Sequence, residues 1–229
     1  MYVQKVCPPI ALTSLLTSTR ILDYSKITVL FNVRDDVVFK QQDKHEKRSY
    51  SEKLKNNKIA VIAPAGDGFD RYYSKQGMAY PAIIPETISV GAIYDAQIGF
   101  QGYDSGAYTE KTAPEQITPF SQRLHSTKNQ KAQTDIFAPG VDIESSTIID
   151  SEKYSKLSGT SQAAPYVTGV VLLLQEYHLR KTSKRPSIDN LKTYLRTGGF
   201  VTPDKDTGLN FMRLNVLGAF EEMQKDIEP

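Results

Sequence analysis

The chain has 229 residues, 39% hydrophobic and 24% charged, with 28 Lys and Arg against 26 Asp and Glu. That length allows one large domain or two small ones, and no run of about 18 apolar residues exists to cross a membrane as a helix. A net charge of +2 gives no electrostatic case for a nucleic-acid partner or a membrane surface, and the single Cys7 rules out an internal disulfide and a cysteine-rich zinc site.

In chain order, Met1 to Arg20 lack the basic start, apolar stretch and small-residue cleavage site of a signal peptide. Compartment is not legible. A Pro start and a Leu- and Thr-rich sequence predict a helix from residue 8 to about 26. Ile27 to Phe31 is a short apolar run of β-branched and aromatic types, read as a buried strand. Residues 34–58 are the most polar part, with mixed charges that suit a solvated loop and surface helix. Ile59 to Ala63 is a second buried strand, closed by a turn at Gly66 and Gly68.

A third strand is predicted over Ile88 to Ile93, followed by a polar surface excursion over 95–116. Asp135 to Ala138 is a fourth strand, ended by Pro139 and Gly140, and 141–156 suit a hairpin. Ser161 to Tyr177 is the clearest helix, apolar nearly all round and therefore expected to be buried. Five basic residues over 178–186 suit a solvated exit. Ser187 caps a helix near 188–196 that Gly198 and Gly199 stop, and 214–224 form a last amphipathic helix. Alternating strands and helices predict an α/β class with a mainly parallel sheet.

The helix at Ser161 opens with Gly159-Thr-Ser-Gln-Ala-Ala-Pro165, then Tyr-Val-Thr-Gly169. A serine in the first turn of a helix lies beside free backbone N–H groups and the positive dipole end. A carbonyl attacked by that serine develops its oxyanion against those donors. Gly159 permits a sharp entry, and Ala163 and Ala164 keep the walls small. Pro165 is tolerable because first-turn N–H groups have no helical partner. Taken alone, the segment is also compatible with an ordinary N-cap on a core helix.

The segment resembles the nucleophile motif of the subtilisin-like serine peptidases, G-T-S-x-A-x-P-x-x-x-G. Further signatures of that family occur in its order: Val61-Ile-Ala-Pro-Ala-Gly-Asp67, Tyr80-Pro-Ala-Ile-Ile-Pro85 with Ile88-Ser-Val-Gly-Ala92, Thr118-Pro-Phe-Ser121, and Ile136-Phe-Ala-Pro-Gly140. Each is weak and the ordered set is strong. The resemblance implies a three-layer subtilisin-like fold lacking its N-terminal portion, with 1–229 as one truncated catalytic domain. Residues 1–20 stand apart as an uncertain segment, and 34–58 and 95–116 as polar insertions.

It also implies peptide-bond hydrolysis through a Ser161 acyl-enzyme, with a peptide or protein as substrate. The Ser161 N–H and the Asp67 position would form the oxyanion hole. Ala65, Gly66, Gly159 and Thr160 would line the substrate site, and Asn32, Val33 and Arg34 fall near the edge where substrate adds as a strand. No cofactor is needed for the chemistry. A structural calcium or monovalent cation on the carbonyls of Ala82, Ile84 and Thr87 is the one metal expectation.

The pattern breaks at the base. The family pairs its serine with a His held by an Asp, and the motifs for both lie upstream of the matched region. None of His45, His125 and His178 is followed by Gly. His45 and His125 read as loop residues. His178 stands about 25 Å along the helix axis from Ser161 if the helix is continuous. Asp104-Ser-Gly106 and Asp206-Thr-Gly208 imitate the family's Asp motif without the strand that should precede it, and read as turns. Asp67 stands where the family usually has Asn, and an ionised carboxylate cannot donate to an oxyanion. The expectation is a serine peptidase completed by a missing half, which a separate chain could supply; the alternative is a non-catalytic relic that binds peptides or a partner. An esterase with another base has no G-x-S-x-G elbow to support it.

Overall fold

The computed structural model describes residues 28–29, 49, 51–129, 131–146 and 154–228. The predicted helix over 8–26, most of the polar stretch 34–58, and Asn32, Val33, Arg34 and His45 lie outside the described residues.

The sheet follows the apolar runs of the sequence. β1 (Thr28–Val29), β2 (Val61–Pro64), β3 (Ile88–Ile93) and β6 (Ile136–Pro139) run parallel in that spatial order. β10 (Asn210–Arg213) extends the sheet in parallel beside β6, and β9 (Phe200–Pro203) closes it as an antiparallel neighbour. All six residues of β3 are buried, as expected of a strand covered on both faces. Its register sets Val90 beside Ile136 and Ala92 beside Ala138.

Two short antiparallel ribbons leave this sheet. β4 (Gln101–Gly102) and β5 (Tyr108–Thr109) lie within the excursion over 95–116. The excursion is anchored: the Tyr103 hydroxyl donates to that of Tyr94, which donates to Thr109, and the Tyr103 ring meets Phe120 edge-on. Burial pushes both phenols above their ordinary value, so both stay protonated donors. β7 (Ile143–Ser146) pairs with β8 (Tyr154–Leu157) as the predicted hairpin.

A short helical stretch over 51–56 precedes β2, and three longer helices follow the sheet strands: α1 (Thr160–Thr182), α2 (Ile188–Thr197) and α3 (Val216–Ile227). Ser187 caps α2 by accepting from the Asn190 N–H, and Asn215 caps α3 by accepting from Gly218. The end of α2 lies against the start of α3, backbone to backbone: a Cβ on Gly198 would come 2.3 Å from the carbonyl carbon of Gly218. Gly198 thus both stops α2 and lets α3 approach, while a Cβ on Gly199 would come 2.9 Å from the Arg213 carbonyl of β10.

These three longer helices share one apolar cluster with β2, β3 and β6, including Ile62, Val90, Ile136, Val167, Leu174, Leu191 and Met223. A smaller cluster of Ile93, Ile117, Phe137 and Phe211 joins β3 and β6, through the residue that follows the excursion, to β10. The expectation that α1 is buried all round needs correction. Ala163, Ala164, Val167, Val170, Val171 and Leu174 are buried, but Tyr166 and Leu173 are each 45% exposed. Apolar composition alone does not say which strip of a helix finds a partner. The helix also runs past Tyr177 to Thr182, with Arg180 and Lys181 favourably placed at its negative end.

Candidate active site

Parallel strands deliver their connecting loops to one end of a sheet, and helices that follow a strand begin there. β2 ends at Pro64 and passes into Ala65, Gly66 and Asp67. Ala65 N–H donates to the Val90 carbonyl of β3 at 2.8 Å, which keeps the turn in line with the sheet. β6 ends at Pro139, and the Gly140 carbonyl accepts from Gly159 N–H at 2.8 Å. The start of α1 is thereby pinned beside the turn that leaves β2.

The junction is closed by Thr160. Its hydroxyl accepts from Gly66 N–H at 3.1 Å and donates to Asp67 Oδ1 at 2.8 Å. Its own N–H donates to the same Oδ1 at 2.8 Å. Asp67 therefore acts as the N-terminal cap of α1 from a distant point in sequence, where Gly159 supplies no side chain. The positive end of the helix and two donors converge on this carboxylate. Gly159 has to be glycine here: a Cβ would stand 2.9 Å from Asp67 Oδ2 and 2.8 Å from Gln162 Oε1. Gly66 is held as tightly, with φ at 110° and the Gln122 side chain packed under its Cα.

Ser161 follows Thr160 in the first turn of α1 and is partly exposed. The fold thus brings Ser161, Thr160, Gly159, Ala65, Gly66 and Asp67 to one corner. The described histidines are committed elsewhere. His178 Nδ1 lies 2.7 Å from the Lys184 carbonyl and 3.0 Å from Thr182 Oγ1. Because α1 is continuous from Thr160 to Thr182, His178 stands about 25 Å along the axis from Ser161. His125 Nδ1 lies 3.0 Å from Thr127 Oγ1, and its ring meets Phe211 edge-on. Asp104-Ser-Gly106 forms a turn in which Gly106 N–H donates to the Tyr103 carbonyl.

Behind the corner, Ala79 N–H donates to the Ala65 carbonyl at 2.7 Å. The loop that follows contains the cis Tyr80–Pro81 bond and the expected cation ligands Ala82, Ile84 and Thr87, all buried. The Ile84 carbonyl accepts from Thr87 N–H at 3.0 Å.

Two residues escape a reading of the sequence. The fully buried Arg123 stacks on the Phe69 ring, 3.5 Å from its centroid, and bonds Asp204 at 2.8 Å and Asp206. It ties the turn at Asp206-Thr-Gly208 to the loop two residues beyond Asp67, so that turn is more than local chemistry. Lys192 puts its ammonium 2.6 Å from the Pro85 carbonyl, inside the expected cation loop. Its signal was present in sequence: Ile188, Leu191, Lys192 and Leu195 share the buried stripe of α2, and a lysine in such a stripe needs a partner.

The Peptidase S8 family model, described as the subtilase family, matches residues 23–198. The chain belongs to the subtilase family. It is 30% identical over 121 residues to the "Major intracellular serine protease" of Bacillus subtilis, covering 53% of this chain and 30% of that protein. It is 31% identical over 125 residues to the "Alkaline proteinase" of Hapsidospora chrysogena, covering 53% of this chain and 29% of that protein. Among solved structures, the self-cleaved protease domain of PatA matches with a TM-score of 0.58 and 25% identity, over 87% of this chain and 62% of that one. The prenylagaramide maturation protease PagA matches the fold with a TM-score of 0.58 at 22% identity, over 86% of this chain and 61% of that one. The aligned regions thus span about 30% of the length of these curated relatives. Among the described residues of this subtilase chain, no helix is long and apolar enough to cross a membrane.

Proposed function

We propose that this chain carries the nucleophile portion of a serine endopeptidase. The observation that supports it is the junction at the start of α1, where a partly exposed Ser161 follows a Thr160 locked between Gly66 and Asp67. Ser161 Oγ bonds the carbonyl carbon of a peptide as the peptide C–N bond breaks. Its proton passes through an imidazole base to the leaving amine, and water then hydrolyses the ester and restores the hydroxyl. The base and the carboxylate that orients it come from outside the described residues, either from a further segment or from a second polypeptide. Ala65, Gly66, Gly159 and Thr160 would line the substrate, and the resemblance implies that Asn32, Val33 and Arg34, outside the described residues, belong to the edge where it adds as a strand. No cofactor enters the chemistry.

The oxyanion hole of this site is weak on the Asp67 side. Ser161 N–H is one donor. Asp67 contributes a second only when protonated, and its Oδ1 already accepts from Thr160 twice. Loss of one such donor costs about 10²–10³ in rate, a figure established in subtilisin, itself a member of this family. Asp67→Asn keeps the acceptor and adds a donor, so it should raise the rate at Ser161 by up to about that factor.

A second reading is a non-catalytic subtilase that binds peptides. What favours it is the commitment of His125 and His178 to other partners. A peptidyl phosphonate followed by peptide mapping separates the two. An adduct on Ser161 that Ser161→Ala abolishes supports the peptidase. No adduct, with peptide binding still measurable by fluorescence anisotropy, supports the binder.

A further inference from the structure

The loop over 79–87 resembles a main-chain cation seat, and its residues can be tested for one. The Pro85 carbonyl and the buried Asp135 carboxylate converge on one point, a donor set of hard oxygens that suits a small cation. A cation is already there. Lys192 Nζ lies 2.6 Å from the Pro85 carbonyl and 3.2 Å from Asp135 Oδ2. The Lys192 side chain is 11% exposed and the Asp135 side chain 0%. Asp135 Oδ2 also accepts from Ser89 N–H at 2.8 Å and from the Ser89 hydroxyl at 3.0 Å, while Oδ1 pairs with Arg196.

A free metal ion on the Pro85 carbonyl and Asp135 Oδ2 would compete with this ammonium for those two oxygens and meet the charge of Arg196 on the same carboxylate. Repulsion at that range in a partly buried site exceeds what a single carboxylate returns. Pro85 stands between two of the expected ligands, Ile84 and Thr87, and the Ile84 carbonyl already takes the Thr87 N–H. While Lys192 is in place, the Pro85 and Asp135 oxygens do not fit a free ion.

We propose that Lys192 is the resident cation of this loop: its ammonium, tethered on α2, fills the seat of a monovalent ion, and removing the side chain opens a site for potassium or ammonium. An ammonium group and a potassium ion are of similar size and charge, so the oxygens need not move to exchange one for the other. The arrangement matters to the candidate site because the same loop begins at Ala79, whose N–H holds the Ala65 carbonyl behind Gly66. Metal in solution is then not required to keep that wall in place. This inference is independent of the catalytic reading, since it concerns the fold of the loop and needs no turnover.

Thermal melts of the full chain in chloride salts of choline, potassium, ammonium and calcium, at matched ionic strength, test it. Choline is too large for the seat. Wild type should melt at the same temperature in all four. Lys192→Ala should melt lower in choline, and recover by roughly 4 °C or more in potassium or ammonium. Lys192→Met, which keeps the stem and blocks the space, should melt low in every salt. A wild-type melt raised by potassium or calcium over choline overturns the proposal. So does a Lys192→Ala chain that responds to no cation, or stays unfolded in every salt.

Discussion

Two carboxylates of this chain flank sheet strands and are held differently: Asp67 lies in the connection that leaves β2, and Asp135 ends the one that enters β6. Asp135 is buried and neutralised by full charges: Lys192 and Arg196 reach it from one face of α2, and Ser89 adds two neutral donors. Asp67 is partly exposed, and the donors on its Oδ1 are the N–H and hydroxyl of Thr160 at the start of α1. The first arrangement binds a helix to the sheet. The second orders a turn beside a serine through the first residue of a helix. Asp135 serves the architecture, and Asp67 serves the corner where a reacting carbonyl would sit.

That contrast can be broken by substitution. Asp135→Ala leaves two cations facing a buried, empty position and should cost about 3–5 kcal/mol in urea denaturation. Gly159→Ala drives a methyl group toward Asp67 Oδ2 and should cost about 1–3 kcal/mol in the same measurement. Asp67→Ala removes the cap on Thr160 and should cost about 0.5–2 kcal/mol. If Asp67→Ala costs as much as Asp135→Ala, the contrast fails. The smallest effect concerns a third carboxylate, Asp226, which accepts from the Tyr194 hydroxyl. Burial, and then that hydrogen bond, push the phenol from 10.0 up to about 12. The folded value exceeds the unfolded one, so this contribution is whole below about pH 10 and is lost as pH rises toward 12. Melting temperatures across that window should fall less steeply in Tyr194→Phe than in wild type.

The parallel core was legible because its strands are short apolar runs closed by Pro and Gly. Ile88–Ile93 agrees with the predicted strand end to end, and the cap at Ser187 agrees with the local rule. Helix ends were less so: α3 starts at Val216 rather than near 214, because the Asn215 cap decides it. The open strip of α1 at Tyr166 and Leu173 was not legible at all, since composition cannot say which face is covered. At the candidate site, residue identities were legible and their bonds were not. Thr160 reads as a wall residue in sequence and is the bridge between Gly66 and Asp67 in the fold.

Sequence by itself determined the alternation of strands and helices, the place of Ser161 in a first helical turn, and the membership in the subtilase family, because periodicity, caps and ordered short motifs are local properties. Tertiary structure alone decided which oxygen each cation meets. Lys192 and Asp135 are far apart along the chain, and Asp67 and Thr160 are too; only the stacking of helices on the sheet brings them within hydrogen-bond reach. Such pairings depend on distances of a few ångströms between separate elements, and no spacing along the chain encodes them.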